Sequence, residues 1–145
     1  FAKKIPCEMK EQPISYPRLL PRNLPGFDIE AAVARMMGRV DLWWQVLAVF
    51  HVRFADWRDA WRQTQAQADR EGERKCVHAL RSAAANIGAA RLAAAAAALE
   101  SLLMASEDPM GTDSARTLLL ECLDEAQHSA AEALGGMVSP PSKAP

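Results

Sequence analysis

Apolar residues recur at spacings of three and four along almost the whole chain, and no segment alternates apolar and polar residues as a half-buried strand would. The clearest stripe is Trp43, Leu47, Phe50, Phe54, Trp57 and Trp61. Its alternating steps of four and three form a heptad seam, so one long helix is predicted from Asp41 to about Ala66. Before it, Pro25-Gly26 marks a turn and Asp28 is placed to cap a short helix ending near Gly38. A third helix, from roughly Asp69 to Asn86, turns Val77, Leu80, Ala84 and Ile87 inward, and Gly88 suits the left-handed conformation that ends a helix. A fourth runs from about Ala90 to Met104 and buries Leu92, Ala96, Leu99 and Leu103. Asp108-Pro109-Met110-Gly111 reads as a turn, after which Thr112 or Asp113 caps a fifth helix. That helix buries Leu119, Cys122, Ala126, Ala130 and Ala133 and stops at Gly135-Gly136. Short connections make neighbours antiparallel. The predicted fold is all-α, an up-and-down antiparallel four-helix bundle with a short additional N-terminal helix.

Composition sharpens this picture. Half of the 145 residues are hydrophobic, enough for one core, but only 6% are aromatic, and abundant alanine favours helices that pack closely. Residues 1–23 hold Pro6, Pro13, Pro17 and Pro21 and read as a Pro-rich linker, residues 24–137 as the bundle, and 138–145 as a disordered tail. A net charge of −1 gives no sign of nucleic-acid binding, which normally shows a basic excess. Membrane insertion needs about twenty consecutive apolar residues, and no such run is present. Cys7, Cys76 and Cys122 are odd in number and widely spaced, which fits a reducing compartment better than a disulfide framework. With no signal-peptide pattern, the expected location is cytoplasmic. The chain opens on Phe1 rather than methionine, so we expect a segment of a larger polypeptide, such as the cytoplasmic C-terminal domain of a membrane-bound kinase.

Candidate chemistry gathers at His78. At about 100° per residue it lies well off the apolar stripe of its helix and shares a face with Arg74, Arg81, Ser82 and Ala85. An exposed imidazole with guanidinium groups one turn to either side and small residues beside it is open to another protein and has cations for a phosphate. Glu100 stands twelve residues after Gly88 and His78 ten before it, so a hairpin turning there brings the two to one level. A carboxylate at that level either accepts the Nδ1 proton of His78, leaving Nε2 as nucleophile, or is a solvated glutamate at the helix exit. The other two histidines, His51 and His128, read as structural or solvated, and no metal site is expected. The tryptophan stripe reads as core. Glu71 and Glu73, with Arg70, Arg74 and Lys75, read as a solvated helix face of mixed charge.

The run His78-Ala79-Leu80-Arg81-Ser82, followed by Asn86-Ile87-Gly88, resembles the phosphoacceptor site of the histidine-containing phosphotransfer (HPt) domain. The family's usual pattern is His-x-Leu-Lys-Gly, then a small-residue stretch and a helix-ending glycine. His78, Leu80 and Gly88 fit it directly, Arg81 stands where lysine is commoner, and Ser82 departs from the usual glycine. Leu24-Pro25-Gly26-Phe27-Asp28 with Ala31-Ala32 and Arg35, and the helix from Leu92 to Glu100, are similar to other parts of such domains.

The resemblance implies a phosphorelay intermediate, in the context of a bacterial hybrid sensor histidine kinase. His78 is then the phosphoacceptor, with Arg74, Arg81, Ser82 and Ala85 as phosphate or receiver contacts and Glu100 orienting the imidazole. It implies response-regulator receiver domains as partners, a monomer in isolation, no intrinsic cofactor or ATP site, and Mg²⁺ supplied by the partner receiver. Two other classes stand beside it. A docking or inhibitory module that binds a receiver or kinase without taking phosphate is favoured by Ser82. A cofactor-binding bundle would need paired ligands inside the helices, which the sequence lacks.

Overall fold

The computed structural model describes residues 19–21, 24–105 and 109–138. The Pro-rich linker expected at 1–23 and the tail expected at 138–145 fall largely outside them. Among the described residues there are six helices and no strand: α1 (Ile29–Arg35), α2 (Val40–Arg53), α3 (Trp57–Ala66), α4 (Arg70–Ile87), α5 (Ala90–Ala105) and α6 (Pro109–Val138). Helix α4 packs along α5, α5 on α6, and α3 on α4, while α2 closes the bundle against α4 and α6. The short α1 lies across α2 and α4.

The core is the set of stripes legible in the sequence. Trp43, Leu47, Phe50, Phe54, Trp57 and Trp61 are all buried, as are Val77, Leu80, Ala84 and Ile87 of α4 and Leu92, Ala96, Leu99 and Leu103 of α5. On α6, Leu119, Cys122, Ala126 and Ala130 are buried, and Ala133 packs at the edge.

Three boundaries differ from the sequence reading. The expected long helix is broken at residues 54–56, where backbone bonds tighten to i−3 partners: Ala55 N–H to Val52 at 3.3 Å and Trp57 N–H to Phe54 at 3.3 Å. No glycine or proline marks the break. Its correlate is tertiary: in α3 the Trp57 indole donates to the Cys76 carbonyl at 3.0 Å and the Trp61 indole to Glu73 at 3.0 Å. The last helix begins at Pro109 rather than at Thr112 or Asp113. Proline has no N–H to lose in a first turn and its fixed φ suits that position. The same helix continues through Gly135 and Gly136 to Val138, because glycine weakens a helix by about 1 kcal/mol without forbidding it.

The turn between α4 and α5 fixes the level of the functional face. Gly88 has φ +81°, and a Cβ there would lie 2.5 Å from the Asp28 carbonyl oxygen. Its own carbonyl accepts from Asp28 N–H at 2.6 Å, and Arg91 N–H donates to the Gly26 carbonyl at 3.1 Å. The segment leading into α1 is therefore strapped over the hairpin. Asp28 also caps α1, accepting from Ala31 N–H at 3.2 Å. The last carbonyls of α4 find partners from other helices: the Trp43 indole donates to Ile87 at 2.9 Å, and Arg35 donates to Ala85. These bonds satisfy groups that a helix end leaves open.

Candidate functional site

Helix α4 presents its outer face because its inner face is occupied by Val77, Leu80, Ala84 and Ile87. His78, Arg81, Ser82 and Ala85 are exposed, and Arg74 is partly so. The His78 side chain keeps 57% of its accessible surface. Across the hairpin, Glu100 of α5 is buried, with 7% of its side chain exposed. It is thus not a solvated glutamate at a helix exit.

Glu100 ties the site together. Its Oε2 lies 2.9 Å from His78 Nδ1, and its Oε1 accepts from Arg81 Nη1 at 2.8 Å. Arg74 Nη1 stands 3.7 Å from Oε2. A carboxylate only accepts, so His78 Nδ1 must carry the proton and donate. In the neutral ring Nε2 then holds the lone pair, and among the described residues it has no hydrogen-bond partner. Burial pushes the Glu100 carboxyl up, but the hydrogen bonds and charges of Arg81 and His78 outweigh it and hold the group below the usual carboxylate range.

The two flanking arginines are not loose cations. Arg74 makes a bidentate pair with Glu71, at 3.0 Å through Nε and 2.7 Å through Nη2. That bond raises the guanidinium's proton affinity further and lowers that of Glu71. Two guanidiniums and two carboxylates therefore surround the imidazole, and their formal charges cancel. Arg81 uses one of its five N–H groups on Glu100, and the others are available to a second acceptor.

Of the charged residues expected to form a single solvated face of α4, Lys75 is exposed and the other four divide among three roles. Glu73 is buried, accepting from the Trp61 indole and from Arg116 of α6 at 2.8 Å through both Nε and Nη2. Arg70 donates to the Leu103 and Leu102 carbonyls at 2.8 and 3.1 Å, closing the end of α5. Glu71 and Arg74 belong to the His78 cluster. The Glu71–Arg74 spacing was a legible signal for their pair; nothing local pointed Glu73 at Arg116, forty-three residues away.

His51 bonds Gln127 through Nδ1 at 2.9 Å, and His128 pairs on the surface with Glu132. Among the described residues, no three His, Cys, Asp or Glu side chains come together as a metal site, and no helix is long and apolar enough to cross a membrane. Cys76 and Cys122 are free thiols whose pKa burial raises, and Cys7 lies outside the described residues.

No curated protein and no solved structure matches the chain significantly. The family model described as Hpt domain matches residues 41–129, which run from α2 through most of α6 and hold the whole His78 cluster. With well over half of its length matched, this chain belongs to the Hpt domain family, whose members carry phosphoryl groups in two-component phosphorelays.

Proposed function

We propose that this chain is a phosphorelay intermediate that accepts a phosphoryl group on Nε2 of His78 from a receiver-domain aspartyl phosphate and passes it to a second receiver. The observation that carries the reading is the bond from His78 Nδ1 to the buried Glu100, which leaves Nε2 as the nucleophilic nitrogen on an exposed face.

In the transfer, Nε2 attacks phosphorus in line with the aspartyl oxygen. The Nε2–P bond forms as the P–O bond breaks, and the electron pair leaves on the receiver's carboxylate. Such reactions are accelerated by positioning and charge neutralisation. Arg81 and Arg74 contribute positive charge beside the phosphoryl oxygens, and exposed Ser82 and Ala85 leave room for the receiver's backbone. The receiver supplies the acidic pocket and Mg²⁺, and this chain uses no ATP directly. We place the domain, monomeric on its own, at the cytoplasmic end of a hybrid sensor kinase.

The test is radiolabel transfer from a phosphorylated receiver to the wild-type chain and to His78→Gln, with circular dichroism as the fold control. Label should appear on the wild type alone. Label retained by the variant would move the acceptor elsewhere. A wild type that binds the receiver but takes no label would favour the docking or inhibitory module.

A further inference from the structure

The acceptor carries a charged partner that is itself shared. Glu100 bonds His78 Nδ1 through one oxygen at 2.9 Å and Arg81 through the other at 2.8 Å. A buried carboxylate with only the imidazole for company would draw a second proton onto the ring. An imidazolium has no lone pair on Nε2, so it cannot attack phosphorus. Arg81 faces that pull, neutralising Glu100 from its other oxygen.

The requirement reverses once Nε2 is phosphorylated. For the phosphoryl group to leave again, the P–N electron pair must return to Nε2. If Nδ1 keeps its proton, the leaving group is neutral imidazole; if Nδ1 has lost it, the leaving group is an imidazolate anion, far more basic and far poorer. The loaded site therefore works best when a full negative charge holds the Nδ1 proton. Arg81 is half exposed, on the same helix one turn from His78, and has unused N–H groups.

Resting on the assignment of His78 as acceptor, we propose that Arg81 is an exchangeable counter-ion. It pairs with Glu100 while His78 is unloaded and moves to the phosphoryl oxygens once Nε2 carries the group, leaving Glu100 to hold the Nδ1 proton of the phosphoimidazolium. The phosphoryl group then enters and leaves with no proton transfer: Nδ1 keeps its proton in both directions, and only the Nε2–P and P–O bonds change. Glu100 and Arg81 are positioning residues in this scheme. The charged groups that face the imidazole are Glu100 from α5 and Arg74 and Arg81 from α4, with Glu71 behind Arg74. Among the described residues no ion pair reaches this cluster from α1, α2 or α3.

Phosphoramidate, which phosphorylates histidine without a receiver, separates the two halves. Wild type, Glu100→Gln, Arg81→Ala and the double variant are loaded and followed by phosphorus and ¹⁵N-histidine NMR across roughly pH 6–9, from about one unit below neutrality to about two above it. The His78→Gln variant identifies the signal. In Glu100→Gln, the decay profile of phosphohistidine should shift to lower pH by about one unit, with a lifetime about tenfold longer above neutrality. In Arg81→Ala, uptake should fall near neutrality and recover about one unit higher in pH, and this alkaline shift should vanish in the double variant. Arg81→Lys should restore the wild-type profile, since a point charge suffices. A purely structural role would change melts and leave both profiles in place. Profiles that superimpose on the wild type, or an Arg81→Ala shift that persists without Glu100, overturn the exchange. If the wild type takes no phosphoryl group at His78, the acceptor assignment itself fails, and the exchange falls with it.

Discussion

At the scale of single residues, helical position told that His78 is exposed, but not which charged side chains are bonded or buried. His78 lies off the apolar stripe and is exposed, as its angle on the helix required. Glu73 sits on the same helix amid charged neighbours, yet it is buried against Trp61 and Arg116. Those partners come from other helices, so no local pattern could report them. The distinction is measurable. A solvated glutamate replaced by alanine changes stability by less than about 0.5 kcal/mol. Glu73→Ala should instead cost about 1–3 kcal/mol in urea melts, because it strands the buried Trp61 indole N–H and removes the paired carboxylate of the partly buried Arg116. A loss below about 1 kcal/mol would return Glu73 to the solvent-facing side. Glu100 makes a second prediction, in pH. Its carboxyl is held below the usual range in the folded state, so its stabilisation is complete above the ordinary carboxylate pKa of about 4.3 and is lost as pH falls through the lower folded value. Wild type should therefore exceed Glu100→Gln in stability at pH 7 and lose that margin on acidification. A margin that grows toward acid would contradict the sign.

At the scale of elements, stops set by backbone conformation were legible and stops set by packing were not. Gly88 ends α4 with φ +81°, as expected of a helix-terminating glycine. The α3–α4 turn uses the same left-handed conformation at Ala68, φ +54°, where a side chain is disfavoured. Two substitutions at these turns should therefore have opposite signs. Ala68→Gly should stabilise by a few tenths to about 1 kcal/mol, the relief of strain exceeding the added freedom of the unfolded chain. Gly88→Ala should destabilise by more than the roughly 1–2 kcal/mol of the conformation alone, since its methyl meets the Asp28 carbonyl. Thermal melts of the two variants decide it; equal and small effects would mean that both turns relax freely. By contrast, the break between α2 and α3 has no residue signature. A heptad seam predicts one straight helix, and only the contacts of Trp57 and Trp61 with α4 distinguish two.

At the scale of the whole molecule, the seam is nevertheless the principal aromatic part of the core. Trp57 and Trp61 stack at 5.0 Å, and Trp61 retains only 1% of its surface. Trp61→Ala should cost about 3–5 kcal/mol, and Trp61→Phe, which keeps much of the packing and leaves Glu73 bonded to Arg116 but removes the indole bond to Glu73 Oε2, about 0.5–1.5 kcal/mol. Denaturant melts that show less than about 1 kcal/mol for the alanine variant would mean that the ring pair is dispensable to the bundle. Salt should leave these losses nearly unchanged, because buried contacts are little screened.

The sequence by itself determined the all-helical class, the inward stripes, the level of Gly88 and the exposure of His78, since each follows from a period of 3.6 residues or from glycine's conformational freedom. It also brought Glu100 within range of His78, because counting residues from a hairpin turn fixes axial height. Only the tertiary structure decided that Glu100 is buried, that Arg81 shares it with the imidazole, that Glu73 belongs to Arg116, and that α2 and α3 part at Phe54. Each of those is a choice between solvent and a distant partner, and it depends on how helices are rotated and set against one another, which no spacing along a single helix contains.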